Sequence, residues 1–173
     1  MDVAGVRSST RQPLYTPDQR RRRDTSIWTL IQGILAPIQF VIFLVSLALV
    51  ARYLITHGGY RAATVSVVVK TLALYAIMIT GSIWEKVVFG RYLFAPAFFW
   101  EDVVSMLVLA LHTAYLGALM RGWLAPQALM LLALAAYASY VVNAAQFLYK
   151  LRLARLGGHG AHVAAAPDWE LAS

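Results

Sequence analysis

Cysteine is absent from all 173 residues. That excludes a disulfide, a thiolate nucleophile and any Cys-ligated metal site. Acid is almost as scarce, with eight Asp and Glu against fifteen Lys and Arg. Between Thr25 and Pro167 the only acids are Glu85, Glu101 and Asp102. Of four histidines, only His112 lies within an apolar run, so one chain cannot supply a bis-histidine haem. There is no H-E-x-x-H metal spacing and no phosphate-binding glycine loop. Ser105 and His112 share a helix face but stand two turns apart, too far to bond as a hydrolase pair. Polar surface is missing as well: 13% of residues are charged, 60% are hydrophobic and the mean hydropathy is +0.64. A soluble domain of this length could not cover its core with so little polar surface.

Long apolar runs take its place. Four of them, near Ile27–Leu54, Ala62–Phe89, Ala97–Met120 and Pro126–Tyr149, exceed the roughly 20 residues that cross a bilayer as a helix. Each is longer than a signal-peptide core, and the first has no small-residue cleavage pattern after it, so it reads as retained. Lipid offers no water to an open backbone, so each span is expected to be helical. The fold class is therefore all-α: one membrane bundle of four transmembrane helices in up-down order. Residues 1–15 carry no apolar period and read as an unstructured tail. The domain covers 16–155, with Gly157-Gly158 ending the last helix and 156–173 a loose tail. Thr16-Pro17-Asp18 has the form of a helix start.

The net charge of +7 raises the question of nucleic acid, and its distribution answers for a membrane. Four spans place both termini and the 86–97 loop on one side. That side carries Arg7, Arg11, Arg20 to Arg23, Lys86, Arg91, Lys150, Arg152 and Arg155; the other carries only Arg52, Arg61 and Arg121. By the positive-inside rule both termini are cytoplasmic, and the membrane is the cell's inner one. The arginine run suits anionic headgroups, at about 1 kcal/mol per cation.

Polar groups inside a span are costly and mark candidate sites. Gln32, Gln39 and Ser46 recur every seven residues on one face of the first span. Glu101, Ser105, Val108, His112 and Tyr115 define one face of the third, and Ser139, Asn143, Gln146 and Lys150 one face of the fourth. Lys70 lies well inside the second span, at a depth like that of His112. A polar seam of Gln32, Glu85, Glu101, Asn143 and Gln146 is thus expected in the cytoplasmic half, with Lys70 and His112 further in. Each group has an ordinary alternative. Glu85 and Lys86 suit interfacial pairing, Glu101 and Asp102 suit capping of a helix start, and the amides suit helix–helix bonding.

All three interior acids fall within residues 84–102, WEKVVFGRYLFAPAFFWED, with seven of the chain's aromatics. Carboxyls beside an aromatic wall invite acid–base chemistry on a flat apolar substrate, because burial disfavours a carboxylate anion.

This wording resembles that of the vinyl bacteriochlorophyllide hydratases. The resemblance runs through Arg20 to Arg23, Trp28-Thr29, Gln32-Gly33, Ala36-Pro37 and Gln39-Phe40, then Val69-Lys70-Thr71 and Trp84 to Gly90. It continues through Tyr92 to Asp102, Leu111 to Tyr115, Asn143 and Gln146-Phe147, covering about residues 15–155. It implies addition of water to the ring-A vinyl group of a chlorophyllide-type macrocycle, giving a 1-hydroxyethyl group for bacteriochlorophyll synthesis. It implies no redox cofactor, and handover to a dehydrogenase that oxidises the new alcohol.

Such a hydration needs a proton on the terminal vinyl carbon, a cation delocalised into the ring, and attack by water. Glu101, flanked in sequence by Trp100, is the first candidate acid and Glu85, beside Trp84, the second. Asp102 or the remaining carboxyl would orient the water. Trp84, Tyr92, Phe99 and Trp100 would line the macrocycle, with Gln32, Asn143 and Gln146 at its polar edge. His112 would face the substrate's own magnesium, and Lys86, Arg91 or the terminal arginines its propionate. No protein metal site is expected. Two other classes compete: a pigment-binding assembly protein would need the aromatics and His112 but not the acids, and a proton-coupled transporter would need an acid deeper in a span.

Overall fold

The structure, a computed structural model, describes residues 14–164. Of the tails expected at 1–15 and 156–173, residues 1–13 and 165–173 lie outside the described residues. The described chain is five helices: α1 Pro17–Thr25, α2 Ile27–Thr56, α3 Tyr60–Phe89, α4 Phe99–Arg121 and α5 Pro126–Ala164.

Local chemistry sets each boundary. Thr16 accepts from the Gln19 N–H while the Gln19 side chain accepts from the Thr16 N–H, a reciprocal cap that starts α1 behind Pro17. Ser26 both ends α1 and caps α2 through the Trp28 N–H. α3 stops at Gly90, whose φ of 82° a side chain would strain. α4 ends in a Schellman turn: Gly122 donates to Leu119 O and Trp123 to Ala118 O. Of the four spans, the third (α4) begins at Phe99, two residues later than the apolar run suggests, because residues 95–98 form a turn closed by the Phe98 N–H on Ala95 O. The fourth runs past Gly157-Gly158 to Ala164. The glycines cost about 1 kcal/mol each relative to Ala.

α2 packs most closely on α3 and α4 on α5, and the two hairpins close into a ring through α2–α5 and α3–α4 contacts. Four helices are long and apolar enough to cross a membrane. Only 22% of the most apolar stretch of α2, and 28% of each of the others, is buried in the protein. Leu30, Ile34, Val41 and Val45 on α2 and Leu72 and Ile79 on α3 project outward. Lipid is the solvent that suits such an exterior.

The interior has two apolar clusters. One joins Phe43, Val50, Tyr53, Val67, Tyr115, Met130 and Tyr137 in the half nearer the α2–α3 turn. The other lies at the opposite end, where Tyr15, Val88 and Phe98 meet Trp84, Phe89 and Phe147. Tyr15, the last residue of the segment read as unstructured, is therefore packed, stacked 5.7 Å from Phe89. A ring cluster gives it more burial than a free tail would. Between and beside these clusters lie the buried polar groups.

Candidate functional site

The 84–102 segment folds back across the end of the bundle. α3 delivers Glu85 on its last full turn, Gly90 breaks the helix, and the connector returns the chain to α4, whose first turn carries Glu101 and Asp102. All three acids are buried, between 4% and 7% exposed.

Glu85 and Asp102 are buried side by side against adjacent residues of the connector. Two buried carboxylates so placed would repel each other, so the pair suits a single proton held between them. Each also grips the connector. The Phe94 N–H donates to Asp102 Oδ2 at 2.7 Å, and the Ala95 N–H to Glu85 Oε2 at 3.3 Å. These bonds hold Phe94 at a φ of 59°, a left-handed conformation that a bulky residue adopts only under constraint. Asp102 thus straps the loop and does not cap its own helix.

Glu101 points to a different partner. Lys150 on α5 donates to Glu101 Oε2 at 2.6 Å, and its ammonium lies 5.0 Å from the Phe98 ring centroid. Above this pair, the Asn143 amide donates to Ser105 Oγ at 2.9 Å. Among the described residues Asn143 Oδ1 and Gln146 Oε1 have no partner. The α4 face Glu101–Ser105–Val108–His112–Tyr115 is buried along its length. The arrangement can hold a proton, stabilise a nearby cation with the Glu101 carboxylate, and orient water with amide oxygens.

A family model described as 2-vinyl bacteriochlorophyllide hydratase matches residues 15–153. The chain belongs to the 2-vinyl bacteriochlorophyllide hydratase family. It is 65% identical over 144 residues to the 2-vinyl bacteriochlorophyllide hydratase of Cereibacter sphaeroides, covering 83% of this chain and 89% of that one. It is 64% identical over 148 residues to that of Rhodobacter capsulatus, covering 85% of each. No solved structure matches.

In this member of the hydratase family the seven aromatics of the segment divide. Trp84, Phe89 and Phe98 turn inward into a ring cluster with centroids 5.8 Å apart. Trp84 Nε1 donates to Thr29 Oγ1 at 2.9 Å, tying α3 to the start of α2. Tyr92, Phe94, Phe99 and Trp100 face outward, Trp100 at 70% exposure. Trp100 therefore does not shelter Glu101, its neighbour in sequence; the Phe98 ring and Lys150 do. Phe94, Phe99 and Trp100 form a run of rings 5.5–5.7 Å apart. Arg91 is exposed on the connector, and Lys86 reaches over the Tyr92 ring while donating to Gly90 O.

Gln32 stands apart from the carboxyls. Its amide donates to Thr80 Oγ1 at 2.6 Å and joins α2 to α3, the helix-bonding alternative. His112 is fully enclosed in mid-bundle, with Nδ1 2.8 Å from Val108 O. A macrocycle would reach it only by parting the helices. Two apolar hollows, of about 320 and 330 Å3, lie on the outer surface, one lined by Tyr75, Met78, Ile79, Leu109 and Thr113 and the other on α2 at Pro37–Ile42; neither includes the carboxyls. Sequence reasoning placed Lys150 on the right α5 face, four and seven residues from Gln146 and Asn143, yet did not select it. The Phe94 and Ala95 N–H groups carried no sequence signal.

Proposed function

We propose that this chain adds water across the vinyl group of a bacteriochlorophyllide-type macrocycle, giving the 1-hydroxyethyl derivative in bacteriochlorophyll synthesis. The observation that carries the reading is the 64–65% identity to two hydratases over most of their length. The chain is accordingly a membrane enzyme of the hydro-lyase class.

The carboxyl geometry suggests the division of labour. The Glu85–Asp102 pair gives its shared proton to the terminal vinyl carbon, converting the double bond to a single bond and leaving a cation on the carbon beside the ring. The macrocycle delocalises that charge, and the Glu101 carboxylate, held by Lys150, stabilises it. Water adds to the cation, and its surplus proton returns to the Glu85–Asp102 pair, which restores the starting state. Glu101 moves from first-choice acid to charge stabiliser because an ion-paired carboxylate is a poor proton donor.

The exposed rings of Tyr92, Phe94, Phe99 and Trp100 provide the flat wall against which the substrate lies, with Arg91 within the same connector for its propionate. Asn143 and Gln146 orient the water. The cation asymmetry supports cytoplasmic termini, an inner-membrane location and handover of the alcohol to a dehydrogenase on that side. The test is conversion of vinyl substrate by the purified protein in H2(18)O. Product carrying one heavy oxygen is expected, and unchanged substrate contradicts the reading.

A further inference from the structure

Every span sends a polar group to the middle of the bundle, and the carboxyl chemistry at its end uses none of them. α2 contributes Gln39 and Ser46, α3 Ser66 and Lys70, α4 His112, and α5 Tyr137 and Tyr140. Ser46 Oγ bonds Ser66 Oγ at 2.7 Å and Tyr137 Oη at 2.6 Å, so those hydroxyls satisfy one another. Lys70 and His112 do not. Both are fully buried, and among the described residues Lys70 Nζ and His112 Nε2 have no hydrogen-bond partner. Lys70 Nζ lies 3.9 Å from the Tyr140 ring centroid, and the His112 ring 5.9 Å from Tyr137. Unmet polar groups of this kind are expensive in hydrocarbon.

Their complementary chemistry selects a ligand. His112 Nδ1 faces the Val108 carbonyl, an acceptor, so Nδ1 bears the hydrogen and Nε2 presents a lone pair. Lys70 Nζ is a donor. An anion would meet the Nε2 lone pair, and a metal cation would meet the ammonium. Water accepts from one and donates to the other. Towards the carboxyls the same interior surface continues with Ser105, Asn143 Oδ1 and Gln146 Oε1, the last two again without a partner. Ten residues separate His112 from Asp102 on α4, about 15 Å at 1.5 Å per residue.

We infer that Lys70 and His112 hold an internal water at the centre of the bundle, at the head of a polar column through Asn143 and Gln146 that brings water to the Glu85–Asp102 pair. The bound water stands on the mid-bundle geometry alone; its delivery to the carboxyls rests on the hydratase reading above. A hydratase consumes one water per turnover, and an interior route brings it from the side of the carboxyls that the apolar macrocycle does not cover.

Radiolytic hydroxyl labelling of the full chain in lipid nanodiscs, in H2(18)O and without substrate, reads the site directly. Label is expected on Tyr137 and Tyr140, with Met130, fully buried in the apolar cluster, as the dry reference. Lys70→Met and His112→Leu are expected to lose that label, whereas His112→Gln, which keeps an acceptor, retains it. Tyrosines as unlabelled as Met130, or label that survives both apolar substitutions, would overturn the bound water. Because no substrate is present, these outcomes are independent of whether the protein is a hydratase. The delivery arm is read as hydration rate: His112→Leu slows turnover and His112→Gln restores it. Equal rates in the two variants overturn delivery while leaving the water in place.

Discussion

At the scale of single residues, what distinguishes the three interior acids is which partner each has. Glu101 has a cation, at 2.6 Å, whereas Asp102 and Glu85 have the connector's Phe94 and Ala95 N–H groups. Lys150→Met leaves Glu101 largely buried without its counter-charge. The expected loss is about 2 kcal/mol, between the limits for exposed and fully buried pairs. The double change Glu101→Gln with Lys150→Met recovers much of it. Thermal unfolding in detergent, compared across the two single variants and the double, checks this; additive losses would show that the pair does not interact. Spacing alone marked the acids as neighbours of aromatic rings. It did not separate rings that face inward from rings that face lipid or water, because adjacent residues such as Trp100 and Glu101 point about 100° apart on a helix.

At the scale of elements, the helices were legible and their interruptions less so. Apolar runs bounded by Gly58-Gly59, Gly90 and Gly122 located four spans to within a few residues, because a membrane helix must be continuous and apolar. Burial of the whole Glu101–Tyr115 face followed from its 3–4 spacing. The packing of Tyr15 did not, since its ring partners Phe89 and Phe98 are distant in sequence. Arg23 also lies over the Tyr15 ring at 4.7 Å, so this one side chain holds α1 against the bundle. Tyr15→Ala is expected to speed amide exchange in α1 about ten-fold, equivalent to roughly 1.4 kcal/mol. Unchanged exchange would mean that α1 is held by its other contacts.

The same anchor has a pH dependence. Burial raises the Tyr15 phenol above its ordinary value of 10.0, with Arg23 opposing the shift. A group that binds its proton more tightly when folded stabilises fully below its unfolded value. That contribution is lost as pH rises through the folded value, so the protection of α1, relative to the base-catalysed intrinsic exchange rate, should fall only above pH 10.0. Loss of that protection at neutral pH would contradict the assignment.

At the scale of the whole molecule, one end of the bundle gathers α1 with its arginines, the connector, and the Lys150 region of α5, and the other end has the α2–α3 and α4–α5 turns. That division makes the proposed orientation testable, and the absence of cysteine makes the test clean. Arg21→Cys is expected to react with a membrane-impermeant maleimide only from the cytoplasmic side, and Gly58→Cys only from the opposite side. Reversed labelling would turn the molecule over and place the carboxyls at the other surface. Macrocycle binding, by contrast, was legible only through the family resemblance, because the surface rings and hollows would serve a lipid equally well.

The central claim is that the Glu85–Asp102 pair carries the proton that starts hydration. Its most direct test is the rate of vinyl-to-hydroxyethyl conversion by purified, folded Glu85→Gln and Asp102→Asn beside the unsubstituted protein. Each substitution is predicted to slow the reaction by about 10²–10⁴-fold, the usual range for a positioned general acid. Full rate in either variant would contradict the account.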